Sequence, residues 1–182
     1  MTLPPRPEGE TREGLLGLHG RVEGFWRRTR EALGEAVRCR PGCDGCCRQV
    51  LRLRPVEAGH LVEGLSSLGP QEVALLRRAL DAPLTGCPLL HSGVCLLYEY
   101  RPLLCRTHGL LLLRREGGTA VLHHCPENFG NLTGRSVPGA LVLDEGRLAA
   151  VADALDVRYR REVGWTGGRV GIDELLRRAL EA

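Results

Sequence analysis

Residues 39–47 read CRPGCDGCC, four cysteines in nine positions with the last two adjacent. Neither helix nor strand gains packing from such a run, so it fixes what the rest of the chain must do around it. All eight cysteines (Cys39, Cys43, Cys46, Cys47, Cys87, Cys95, Cys105 and Cys125) fall between positions 39 and 125, and both flanks have none. Cys43-Asp44-Gly45-Cys46 is a C-x2-C turn, which can set two sulfurs on one ion. Gly42 and Gly45 suit a turn whose amides must curl toward thiolates, because glycine tolerates positive φ. Adjacent residues point their side chains apart, so Cys47 reads as facing a second site or the far side of a cluster. The later cysteines come singly, each near a turn-former: Pro88, Gly93, Pro102 and Pro126. Eight thiols suffice for two four-coordinate sites, or for one cluster with spare ligands. The plain alternatives are buried small hydrophobes or disulfides, including a strained vicinal Cys46–Cys47 bond.

Size and composition bear on that choice. With 182 residues, 43% of them hydrophobic, the chain can build a core without covalent staples. The first fourteen residues carry no apolar stretch of the signal-peptide kind, and no apolar run approaches the ~20 residues of a membrane helix. A soluble, cytoplasmic protein with no membrane partner is expected. In a reducing compartment a dense cysteine pattern reads as metal-binding or catalytic before it reads as disulfides. The net charge is +3 and every basic residue other than histidine is arginine. The arginines are mixed with acids and lack interleaved aromatics, so no nucleic-acid partner is expected. Without lysine there is no Schiff base and no P-loop lysine.

Helical spacing of Leu15, Leu18, Val22, Phe25 or Trp26, Leu33 and Val37 predicts a helix over 13–38 behind a disordered lead of 1–11. Alternation over 50–54 predicts a short strand. Pro55 opens a helix to about Leu65, and Gly69-Pro70 starts a second over 71–80. Two hairpins are expected, one over 87–97 turning at His91-Ser92-Gly93, one pairing 110–113 with 120–122. Asp144 caps a helix reaching about Arg161, 164–171 is a loop, and Asp173 caps a last helix over 174–180. The fold class is α+β, mainly helical, with helices around a cysteine-rich centre and short β-hairpins. Three regions are expected: a mostly helical N-terminal extension (1–36), a cysteine-cluster metal-binding domain (37–126), and a C-terminal helical segment (127–182) packing on the same domain.

The blocks CRPGCDGCC, then Cys87-Pro88-Leu89-Leu90, then Cys95 with Tyr98, then Arg101-Pro102-Leu103-Leu104-Cys105-Arg106, occur in an order that resembles the YkgJ family of cysteine-cluster proteins. That family is described as carrying a zinc- or iron-chelating domain. Glu57 matches an acidic position usual in the family. The resemblance covers about residues 37–126, and the first gap has three residues where two are commoner. It implies metal binding, by zinc or by iron as an ion or an iron–sulfur cluster, with all eight cysteines as ligands. A related branch contains flagellin lysine methylases, thought to hold an iron–sulfur cluster. This chain has no glycine-rich strand-turn-helix for a nucleotide or S-adenosylmethionine.

Two functions follow as expectations. One is a metal-binding protein whose centre is structural or serves metal handling. The other is an iron–sulfur enzyme, or an enzyme's accessory, in redox or methylase-like group transfer. Saturated thiolate ligation favours the first, since catalytic zinc keeps an open position. His108, three residues after Cys105, is the best of the histidines as an extra ligand, ahead of His123 and His124. His19, His60 and His91 read as surface residues. Arg101 and Arg106 flank Cys105, where guanidinium charge would offset thiolates. No Ser-His-Asp or Cys-His nucleophile pattern is legible, and no catalytic residue or protein partner is assigned.

Overall fold

The computed structural model describes residues 2–130 and 137–181. Among them the chain is α+β and mainly helical. Helix α1 (Gly9–Leu33) leads, and Gly34, at φ +48°, ends it. The cysteine run follows. Then come strand β1 (Arg52–Leu53), helices α2 (Pro55–Gly64) and α3 (Pro70–Asp81), the hairpin β2 (Leu90–His91) and β3 (Val94–Cys95), and helix α4 (Leu103–Thr107). Strands β4 (Leu112–Glu116), β5 (Thr119–His123) and β6 (Leu143–Asp144), helix α5 (Glu145–Val163), strand β7 (Val170–Gly171) and helix α6 (Ile172–Glu181) complete it.

The helices form where apolar side chains recur on one face. Along α1, Leu15, Leu18, Val22 and Trp26 are buried. They pack toward α5, where Gly14 leaves room for Leu155. The largest apolar cluster joins α2, α3 and α6 through Leu61, Leu76, Leu175 and Leu176, all at most 1% exposed. Each such side chain stabilises the fold by roughly 1.5–3 kcal/mol relative to exposure.

Strand order in the largest sheet is β5-β4-β6, with β4 antiparallel to β5 and parallel to β6. Gly117 and Gly118, both at positive φ, make the β4–β5 turn. Strand β1 pairs with β7 across the length of the chain, Arg52 opposite Gly171 and Leu53 opposite Val170.

Several expectations are corrected. The strand over 50–54 shrinks to two residues, and the loop over 164–171 contains β7. The last helix starts at Ile172, so Asp173 lies in its first turn and is not its cap. Asp144 does cap α5, accepting from the Arg147 N–H at 2.9 Å. The lead is no loose tail. The Pro5 carbonyl accepts the Tyr159 hydroxyl, and a Cβ at Gly59 would collide with that same carbonyl. The N-terminus of α2 has no side-chain cap of its own; Asp156 on α5 supplies one, accepting from the Val56 N–H at 3.0 Å.

His19 and His60 are not surface residues. Each is 4% exposed, and their rings lie 5.7 Å apart between α1 and α2. His60 Nδ1 is 3.2 Å from Glu63, while neither ring nitrogen of His19 has a hydrogen-bond partner among the described residues. Burial, then the charge of Arg106, lowers His19 to about 3. A histidine held neutral in the fold and free to protonate near 6.5 when unfolded makes the unfolded state bind more protons between those values. Stability is therefore full above pH 6.5 and falls as pH drops toward 3, by up to about 1.4 kcal/mol per unit. Urea unfolding at pH 7 and pH 5 checks this: His19→Leu is expected to lose less stability over that interval than the wild type.

Candidate metal centre

The cysteine run is shaped by two tight turns. The Cys43 N–H donates to the Arg40 carbonyl at 2.9 Å across Pro41-Gly42, with Gly42 at φ +91°, the residue types a type II turn requires. The Cys47 N–H then donates to the Asp44 carbonyl at 2.8 Å, closing a 3₁₀ turn over Gly45–Cys47. No residue from 37 to 50 is buried, so the run has no apolar core of its own.

Backbone bonds bring the distant cysteines to it. The Cys87 N–H donates to the Cys47 carbonyl at 2.7 Å, and Gly86 sits so close to that carbonyl that a Cβ there would be 2.6 Å from it. Cys95 pairs with Leu90 in the β2–β3 hairpin, and the Leu90 N–H returns to the Cys87 carbonyl at 3.1 Å. At the hairpin turn, Gly93 approaches Gly42. Cys105 lies on α4, a helix too short to stand on propensity. Its Leu103 N–H is held by the Glu57 carboxylate at 2.6 Å, and Glu57, 4% exposed, also pairs with Arg54. That gives the acidic residue on α2 a role: it fixes the helix that carries Cys105.

Cys125 arrives through Asn128, a residue that the sequence reading passes over. The Asn128 N–H donates to the Cys125 carbonyl at 2.9 Å. Its side-chain oxygen accepts from the Arg38 and Cys39 N–H groups at 2.8 and 3.0 Å, and its amide donates to the Gly109 carbonyl at 2.8 Å. Gly109 must be glycine, with φ +90° and Asn128 and Trp26 against the place of a Cβ.

All eight cysteines are free and partly buried. The Cys46 and Cys47 sulfurs are 4.0 Å apart, twice a disulfide length. Burial pushes the Cys87 thiol up to about 11 and the Cys105 thiol up to about 12, and it raises Cys39 and Cys95 as well. Cys46 is driven upward first by its hydrogen bond to Cys47 and then by burial; the same bond pulls Cys47 below its ordinary value. Among the described residues no three His, Cys, Asp or Glu side chains stand close enough together to hold an ion. Neutral thiols have little to draw them together and thiolates repel, so bringing several of them onto one point would take a cation.

The neighbouring arginines differ. The Arg101 guanidinium lies over the Tyr98 ring, 3.4 Å from its centroid, and its charge counters the upward shifts of Cys46, Cys95 and Cys105. Arg106, 6% exposed, is a clip. It donates to the Arg101 and Glu99 carbonyls and pairs with Glu23 at 2.9 Å, while Trp26 Nε1 bonds its carbonyl at 2.6 Å. His123 Nε2 is 2.8 Å from Glu116, His124 Nδ1 lies 2.9 Å from the Cys125 carbonyl, and His108 is half-buried with its pKa lowered by burial. Two surface hollows, of about 690 and 780 Å³, are lined by β4, β6, α5 and α1 and include no cysteine.

No protein-family model, no curated protein and no solved structure matches this chain, so the resemblance to the YkgJ family rests on its motif blocks alone.

Proposed function

We propose that the chain is a thiol-ligated metal-binding protein, taking zinc or iron through Cys39, Cys43, Cys46, Cys47, Cys87, Cys95, Cys105 and Cys125, with the centre serving fold integrity or metal handling. The observation that carries this reading is the bond from the Cys87 N–H to the Cys47 carbonyl, which joins the two cysteine segments directly. Soft thiolates suit zinc and iron–sulfur chemistry over magnesium or calcium. The residues fit such a group: eight free thiols in one region, a positive side chain at Arg101, and glycines at the turns that bend the run. Burial raises the Cys39, Cys87, Cys95 and Cys105 thiols, so an ion bound there must displace protons, and affinity rises with pH. When bound, the metal would supply a fixed point to which segments far apart in sequence are tied.

Protein purified anaerobically is expected to carry at least about one equivalent of zinc or iron per chain by elemental analysis, as a closed thiolate site requires. The visible spectrum separates a colourless zinc centre from an iron–sulfur cluster, which would favour the enzyme or accessory reading. Metal-free protein, fully folded with eight titratable thiols, would overturn both.

A further inference from the structure

We infer that His19 and His60 form an acid-operated latch, which holds the helix carrying Cys105 while both rings are neutral and lets it go when they take up protons. The latch acts on α4 whether or not the thiols hold a metal.

Helix α4 has five residues and hangs from α1 and α2. From α2, the Glu57 carboxylate accepts the Leu103 N–H at 2.6 Å. From α1, Trp26 Nε1 donates to the Arg106 carbonyl at 2.6 Å, and Glu23 accepts from the Arg106 guanidinium at 2.9 Å. These tethers hold together only while α1 and α2 do. The two imidazoles sit in that seam, His19 on α1 and His60 on α2, each 4% exposed with ring centres 5.7 Å apart. The Tyr100 ring lies on the far side of His60, 5.1 Å away.

The seam is already short of negative charge. Arg12 on α1 pairs with Glu63 on α2, while Arg101 and Arg106 share Glu23 on α1. Glu57 is matched by Arg54. Three guanidiniums, those of Arg12, Arg101 and Arg106, thus stand against the two carboxylates of Glu23 and Glu63. A proton on His60 would have Glu63 as counter-ion, 3.2 Å from Nδ1. A proton on His19 would have none, because neither of its ring nitrogens has a partner among the described residues. Burial, then the charges of Arg106, His60 and Arg101, keeps His19 neutral, and burial lowers His60 against the pull of Glu63. Opening the seam gives the rings water, so opening is coupled to proton uptake below the ordinary histidine value of about 6.5, and falling pH favours it. Arg106 transmits the change. Its guanidinium also holds the Arg101 and Glu99 carbonyls, and it follows Cys105 directly on α4.

Hydrogen exchange on the full chain, read by NMR at pH 7 and pH 5 and corrected for the intrinsic pH dependence of exchange, tests the latch. For one proton taken up at an ordinary histidine, protection of the hydrogen-bonded Leu103, Arg106 and His108 amides is expected to fall about 25-fold between the two. The amides of α3 and α6, which are joined through Leu76, Leu175 and Leu176, are expected to keep theirs. His19→Leu should hold the loss in α4 to less than about fivefold. Undiminished protection in the wild type, an equal loss in α3 and α6, or the full loss in His19→Leu overturns the latch. Should the leucine variant fail to fold, titration of the wild-type imidazole signals decides. His19 is expected not to titrate in the closed form between pH 8 and pH 5, and a His19 that titrates near 6.5 with α4 still protected overturns the latch.

Discussion

Removing the metal with a chelator is expected to strip hydrogen-exchange protection from the amides of Cys39, Cys43, Cys47 and Cys87 by about a thousandfold, while α1 and α5 keep theirs. The Cys43 and Cys47 N–H groups are bonded within the 37–50 stretch, that of Cys87 onto it and that of Cys39 to the Asn128 side chain, and no residue of the stretch is fully buried. With no apolar core there, the stretch would rest, on the proposed reading, on those hydrogen bonds and the ion against chain entropy. A metal at a thousand times its dissociation constant stabilises the bound form by about 4 kcal/mol, the thousandfold change in protection. The helices on either side have independent support. Leu15, Leu18, Val22 and Trp26 on α1, and Ala152 and Tyr159 on α5, are at most 6% exposed and pack mainly on other apolar side chains, with Cys39 partly buried against the cluster of Leu18, Val22 and Trp26. Exchange followed by mass spectrometry, before and after chelation, reads the contrast. Equal protection in both states would mean that the fold does not depend on the ion, and that the centre is a carrier site and not a strut.

Asn128→Ala is expected to destabilise the chain by about 2–4 kcal/mol and to lower metal content together with stability. Asn128 is 1% exposed, and its side chain satisfies three backbone groups at once, the Arg38 and Cys39 N–H groups and the Gly109 carbonyl. Truncation leaves all three to find water or go unpaired, and the unpaired option is the costly one. It also cuts the side-chain tie between the Cys39 strand of chain and the Cys125 turn. Asn128→Asp keeps the acceptor for Arg38 and Cys39 but sets an oxygen against the Gly109 carbonyl, so an intermediate loss is expected. Urea unfolding and elemental analysis on the three proteins give the order wild type, Asp, Ala. An alanine variant with wild-type stability and full metal would refute the role.

What was legible in the sequence was local. The α1 face announces itself in Leu15, Leu18, Val22 and Trp26, and Asp144 is a readable cap because its partner is three residues away. Pro70 and the Gly117-Gly118 turn mark boundaries by backbone chemistry alone. What stayed hidden depends on partners far along the chain. Helix α4 leans on Glu57, forty-six positions earlier, and β1 has no reason to be a strand until β7 is placed beside it. His19 and His60 are polar and sit near glycines, so nothing local tells that α1 and α2 enclose them. The cysteine positions were plain; what holds the segments that carry them was not, because it lies in Asn128, in the Cys47 carbonyl and in the apolar clusters against which Cys39, Cys87, Cys95 and Cys105 pack. Arg101 and Arg106 look equivalent around Cys105, yet one stands near thiols and the other clips a loop.

The pairing of β1 with β7 has a consequence for the order of events on the ribosome. Arg52 meets Gly171, and the Ile172 N–H closes onto the Leu51 carbonyl at 2.9 Å. The pairing partner of the strand that follows the cysteine run is thus made roughly 120 residues later, which at 5–20 residues per second takes on the order of 6–24 s. Cys39, Cys43, Cys46 and Cys47 are made before that interval begins, and Cys87, Cys95, Cys105 and Cys125 within it. On the proposed reading, a nascent chain that meets metal early would hold it first by the run alone, before Cys87, Cys95, Cys105 and Cys125 are made.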